Sequence, residues 1–328
     1  MDWGIAGHAW AVEMLQIHAA MGRERHAYLF TGPPGSGRRT LALRFAQALN
    51  CPQPLAPGIP CQSCRVCRQI ERMQHADLFV VQSEQEGREI KIEQIRALQH
   101  SLSLAPMEGR YRIGLILRFQ EARKSAANAL LKTLEEAPSR AILLLTANSP
   151  TSVLPTIASR CEIFNLRPLN FEDLANYLHQ KQGLDPSQAR LYAHLSGGRV
   201  GYALNLAHDP ENLEQRRTWI DDLSRLVHAS RRERFLYAAR ISKDREVLRQ
   251  ATLVWLSLWR DVFLCAANMR APLENLDREQ EIQNMAAQLD LVQARRLVEQ
   301  TEKHLEQLDH YVNPRQVAEV MMLDWPSW

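Results

Sequence analysis

The sequence predicts an α/β nucleotide-type core built on a five-stranded parallel sheet, followed by a small helical lid and an all-α C-terminal region. An apolar strand-like run, Ala27–Thr31, leads into a glycine-rich loop and then a helix-like run. Beyond it, apolar runs at 78–81, 113–117, 142–145 and 163–166 alternate with helical periods, as a parallel sheet requires. From residue 209 the pattern is wholly helical, rich in Leu, Gln, Arg and Glu. The expected divisions are 1–166 for the core, 167–208 for the lid and 209–328 for the last region.

Residues 1–26 read as an entry turn and a helix with Val12, Leu15 and Ala19 on one face. His8, His18 and His26 have no metal-ligand spacing and read as surface or satisfied histidines. The loop Gly32-Pro33-Pro34-Gly35-Ser36-Gly37-Arg38-Arg39-Thr40 sits where strand gives way to helix. Gly32, Gly35 and Gly37 would let backbone N–H groups converge on phosphates. Such loops follow the glycines with a lysine for the β/γ charge and a Ser or Thr for Mg²⁺. Here Arg38 and Arg39 hold those two positions. Arg38 keeps the charge on a wider, planar fork, Arg39 cannot ligate a cation, and Thr40 lies one residue late. The loop reads as one that no longer turns over ATP, and whether it still traps the nucleotide stays open. After it, Leu41, Phe45 and Leu49 mark a helix face.

Cys51, Cys61, Cys64 and Cys67 form the second motif. Three cysteines at two-residue gaps, with a fourth upstream among prolines and a glycine, match a closed tetrahedral site. Structural zinc is favoured, with an iron–sulfur cluster as the rival. Such a module would fold a loop with little core of its own. Cys161 and Cys265 lie outside it and read as small buried hydrophobes.

The chain has 328 residues, 45% of them hydrophobic and 23% charged, which excludes disordered and fibrous classes. A net charge of +3 permits nucleic-acid contact without arguing for it. The apolar stretch 253–267 is broken by Arg260-Asp261 and is shorter than the roughly 20 residues of a membrane span. With no basic-then-apolar leader in view, the expected compartment is the cytoplasm and no membrane partner is expected. Trp255, Trp259 and Phe263 recur every fourth residue. That stripe reads as core, with an oligomer interface as the alternative.

The segment 126–138, Ala-Ala-Asn-Ala-Leu-Leu-Lys-Thr-Leu-Glu-Glu-Ala-Pro, resembles the clamp-loader branch of the AAA+ ATPases. Within that branch it is most similar to the delta-prime family of bacterial DNA polymerase III. Thr146-Ala147-Asn148, Ser159-Arg160-Cys161, 26–30, the four-cysteine insertion and Gly197-Gly198-Arg199 extend the resemblance over most of 1–208. It implies an AAA+ core and a C-terminal collar through which five subunits form a ring. It also implies that Arg160 is a trans arginine finger directed into a neighbouring motor subunit's ATP site, a role worth about 10³ to 10⁵ in rate. The second ATPase element would run from the strand at 113–117 to Gln120 and Glu121. Gln120 stands where an Mg²⁺-positioning Asp is aligned, and an amide is a poorer ligand than a carboxylate. Asn148 would be the γ-phosphate sensor and Arg199 the lid sensor.

Implied partners are gamma/tau-type motor subunits and a delta subunit in a hetero-pentamer, the sliding clamp, and primer-template DNA. DNA phosphates would meet helix starts near Lys91 and near Lys124 and Ser125, where a solvated basic helix end is the plain alternative. The cluster Arg231-Arg232-Arg234 reads as DNA contact or as an exposed helix face. Two rival functions stay open: a catalytically active AAA+ ATPase of the gamma/tau type, and a zinc-dependent nucleic-acid-binding module.

Overall fold

A computed structural model describes residues 3–83, 89–309 and 312–327. In chain order its first elements are α1 (Ala9–Met21), β1 (Ala27–Thr31), α2 (Arg38–Asn50), α3 (Arg65–Glu71) and β2 (Leu78–Val81). They are followed by α4 (Ile92–Ser103), β3 (Arg112–Ile116), α5 (Lys124–Glu135), β4 (Ala141–Ala147), α6 (Pro155–Ala158) and β5 (Glu162–Asn165). The strands pair in parallel in the order β2-β3-β4-β1-β5. This is the five-stranded parallel core that the sequence predicts.

The central strands β1, β3 and β4 are buried at every residue, and the edge strands β2 and β5 only in part. Helices cover both faces of the sheet, so the central strands need apolar residues at every position rather than at alternate ones. Tyr28 and Phe30 of β1 pack with α1, α2 and α3, while Ala27 and Leu29 face the opposite cluster with α4 and α5. Period-two alternation thus sorts one strand's side chains between two layers.

The described chain divides into two compact units. One runs to Asp173 and includes Arg199–Gly201; the other comprises Leu174–Gly198 and the chain from Tyr202 onward. The helices from here are α7 (Phe171–Gln182), α8 (Pro186–Leu195), α9 (Val200–His208), α10 (Pro210–Leu226) and α11 (Arg231–Ile241). They end with α12 (Arg245–Ala266), α13 (Glu279–Ala287), α14 (Leu291–Asp309) and α15 (Pro314–Asp324). Their starts follow the expected chemistry: Pro186, Pro210 and Pro314 each open a helix behind Asp185, Asp209 and Asn313, whose side chains accept backbone N–H groups.

The 22-residue α12 is the axis of the second unit's core. Trp255 and Trp259 are fully buried and Phe263 is half-buried, which places the aromatic stripe in the core. Trp325 stands edge-on to Trp255 at 5.0 Å between ring centres.

The reading of Arg231-Arg232-Arg234 is corrected at its last member. Arg231 and Arg232 are exposed, but Arg234 is buried. Its guanidinium donates to the carbonyls of Leu226 (2.8 Å), Val227 (3.0 Å), Met322 (3.0 Å) and Trp325 (3.1 Å). Helix ends leave carbonyls without intrahelical donors, and a five-donor fork satisfies several at once. Arg234 therefore joins the ends of α10 and α15 instead of facing a polyanion.

Candidate functional site

The glycine loop closes over the end of β1 as the sequence requires. Gly32 has φ 145°, and a Cβ there would stand 2.3 Å from the Leu166 carbonyl oxygen and 2.8 Å from Ser36 Oγ. Gly37, at φ 93°, caps the 13-residue α2 and leaves open space where a side chain would be. The loop is tied from three sides. His8 Nε2 lies 3.1 Å from the Ser36 carbonyl, Gly32 N–H donates to the Asn148 carbonyl at 3.2 Å, and Gly201 N–H donates to the Gly35 carbonyl at 2.8 Å. Arg199 is thereby held two residues from a direct contact with the loop.

Arg38 leads α2, and its Nη1 donates to Asn148 Oδ1 at 2.9 Å. The residue at the expected lysine position is thus bonded to the residue expected to sense the γ-phosphate. Arg39 and Thr40 are exposed in the first turn of α2.

The segment expected to be the second ATPase element is likewise occupied by its own side chains. Arg118 turns the chain after β3 at φ 51°, and a single 3₁₀ turn, Phe119–Glu121, follows. Arg118 Nε donates to Glu121 Oε1 at 2.9 Å, and Ser83 Oγ donates to Glu121 Oε2 at 2.6 Å. Glu121 therefore serves an internal ion pair. Gln120 places its Oε1 in a buried position with no hydrogen-bond partner among the described residues.

Arg160 follows the four-residue α6 and is exposed. Its Nη2 reaches Glu135 Oε1 at 2.9 Å and its Nη1 donates to the Thr156 carbonyl at 2.9 Å. Lys91 caps α4, and Lys124 and Ser125 open α5, all exposed. The bridge between Ile90 and Ala122 sets the two helix starts side by side.

The four cysteines meet where the loop after α2 runs into α3, Cys64 capping that helix and Cys67 lying in its first turn, with all their sulfurs within 4.8 Å of one another. Two of the separations are 3.6 Å (Cys51 to Cys61) and 3.9 Å (Cys61 to Cys67). A tetrahedron with metal–sulfur bonds of about 2.3 Å has edges of about 3.8 Å, so these sulfurs fit a metal ion. Backbone N–H groups of Cys61, Cys64 and Cys67 point at the sulfurs of Cys51, Cys61 and Cys64. Burial works against the Cys61 thiolate, but N–H donors from Cys64 and Ser63 outweigh it and bring that thiol down to about 6. Trp3 Nε1 donates to the Gly58 carbonyl at 3.1 Å and Gln47 Nε2 to the Cys67 carbonyl at 2.7 Å, fastening the module to the core. Cys161 and Cys265 stand apart from the cluster, half-buried.

A protein family described as DNA polymerase III, delta subunit, matches residues 7–170, half of the chain. The chain belongs to this family. Among its relatives is the DNA polymerase III subunit delta' of Bacillus subtilis (strain 168), 36% identical over 194 residues, covering 59% of this chain and 57% of the relative. Subunit delta' of Pseudomonas aeruginosa is 38% identical over 136 residues, 42% of this chain and 41% of the relative. Subunit tau of Escherichia coli (strain K12) is 32% identical over 207 residues, 62% of this chain and 32% of the relative. The chain therefore spans between about a third and somewhat over half the length of these curated relatives. The delta-subunit family model covers the glycine loop, the cysteine module, Asn148 and Arg160, and stops short of Arg199.

Several residues that shape this region are not among the site residues expected from the sequence. His8, Ser83, Arg118 and Glu135 are each brought to the site by contacts whose partner lies 3 to 38 positions away along the chain. Only the i, i+3 spacing of Arg118 and Glu121 was visible as a pattern.

Proposed function

We propose that this chain is a clamp-loader subunit of the delta-prime type within DNA polymerase III, one that does not turn over ATP itself. It completes the ATP site of a neighbouring gamma/tau-type motor with Arg160 and, together with a delta subunit, forms a hetero-pentamer. That assembly places the sliding clamp on primer-template DNA in the cytoplasm. In this reading 1–166 is the core, 167–208 the lid and 209–328 the collar. Zinc fills the four-cysteine site as a structural ion, and Lys91, Lys124 and Ser125 face DNA phosphates.

The observation that carries the proposal is the Arg38–Asn148 hydrogen bond of 2.9 Å. A nucleotide competes with this contact for the Arg38 guanidinium, whose Nη1 is already turned to the Asn148 side-chain oxygen. With Arg39 and Gln120 at the two metal-handling positions, little remains to hold Mg²⁺. Arg160, by contrast, lies on the surface, where a neighbour can be reached. An active motor of the gamma/tau type is the second reading, favoured by the likeness to tau of Escherichia coli.

Purified chain assayed alone and in the reconstituted complex separates the two. The expected result is no hydrolysis in isolation, and in the complex a fall on the order of 10³ at the facing motor site for Arg160→Ala, with assembly intact. Strong hydrolysis by the isolated chain, abolished by Gly37→Val, would establish the motor reading instead.

A further inference from the structure

The geometry points to Glu135 as the resting partner of Arg160, a carboxylate that parks the guanidinium on its own subunit until a neighbour's phosphates displace it. This rests on the trans-arginine reading given above.

Both terminal nitrogens of Arg160 are engaged within the chain, Nη2 by Glu135 Oε1 and Nη1 by the Thr156 carbonyl, each at 2.9 Å. The acceptors have a common origin. Glu135 is the last residue of α5, and Thr156 lies in α6, whose last residue is Ala158. Carbonyls left without intrahelical donors make helix C-termini negative, and Glu135 and Glu136 add carboxylates beside one of them. The guanidinium is held where two such ends converge. These contacts use two of the five guanidinium N–H donors, so a neighbour's γ-phosphate competes with Glu135 and the Thr156 carbonyl for where the group sits.

Magnitude decides whether this is a lock or a latch. A buried pair would be strongly unfavourable to break and would hold the finger permanently. Here the side chains are 37% and 53% exposed, the class of pair that contributes little. Such a contact biases the finger without preventing its release. If Glu135 instead steadied Arg160 in its productive pose, its removal would slow the reaction, so the sign of the effect separates the two roles.

The test uses the reconstituted complex and single-turnover ATP hydrolysis at the site that Arg160 faces. Glu135→Gln is expected to raise kcat by up to about fivefold, the factor equivalent to about 1 kcal/mol. KM for ATP is expected to stay unchanged, because the finger acts on the transition state. On an Arg160→Ala background the same substitution is expected to have no effect, a silence that a merely structural role would not produce. An unchanged or lowered kcat for Glu135→Gln, in a complex that Arg160→Ala slows, overturns the parking role and leaves the finger standing. A complex indifferent to Arg160→Ala overturns the finger, and the parking role with it.

Discussion

Asp77 does more structural work than any motif announced. It is completely buried, and its carboxylate accepts the N–H groups of Met107 (2.7 Å), Glu108 (2.9 Å) and Gly109 (2.7 Å) and Arg112 Nη1 at 3.0 Å. Burial alone would raise its pKa, but the backbone N–H groups of Met107, Glu108 and Gly109, with the nearby His75, outweigh burial and hold the carboxyl below the usual range. Asp77→Asn leaves Arg112 buried without its counter-charge and should cost about 3–5 kcal/mol, measurable by denaturant unfolding. A loss under 1 kcal/mol would mean the network is dispensable. Two buried histidines titrate in a different window. Burial lowers the pKa of both His8 and His75 from the ordinary 6.5, against a backbone hydrogen bond at His8 and nearby carboxylates at His75. In the unfolded chain each takes up its proton at the ordinary value, before its folded counterpart does. Their stabilising contribution is therefore complete above about pH 6.5 and declines as pH falls below it, by up to about 1.4 kcal/mol per residue at pH 5.5. Thermal unfolding at pH 7.5 and 5.5 checks this, and equal stabilities at the two values would contradict the assignment.

Among the elements, the cysteine loop depends most on something other than burial. Between α2 and α3 it is mainly exposed or half-buried, and only Trp3, Gln47 and a few buried side chains tie it down. Chelation, or Cys61→Ser, should lower the melting temperature by roughly 5–10 °C, equivalent to a few kcal/mol in a unit of this size. Metal analysis should return one zinc per chain, and stoichiometric iron would reject zinc. This element was legible in advance because ligand spacing is local. The strands were legible too, because a sheet covered on both faces needs unbroken apolar runs; the run at 163–166 lies one residue beyond β5. Arg234 was misread because nothing adjacent to it in sequence reveals that carbonyls near residues 322 and 325 surround it.

At the scale of the whole molecule there are two separate bodies of core. Clusters on the two faces of the sheet serve the first unit, and the helical cluster around Trp255 and Trp259 serves the second. Unfolding should therefore be resolved by calorimetry into two transitions rather than one. Chelation should move only the first unit's transition, and Trp255→Ala, at about 3–5 kcal/mol, only the second's. A single transition that shifts with both treatments would show that the units unfold together.

Periodicity and spacing, read along the chain, were enough for the five-stranded core, the four-cysteine cluster, the glycine loop and the helical C-terminal half. Each depends on residues close in sequence or on a repeating pattern of burial. Tertiary structure alone decided that Arg38 bonds Asn148, that Glu135 holds Arg160, that Asp77 meets Arg112, and that Arg234 gathers carbonyls from two helix ends. These partners are separated by 110, 25, 35 and up to 91 positions, and their meeting is set by strand order and helix packing, which the sequence does not encode at any single site.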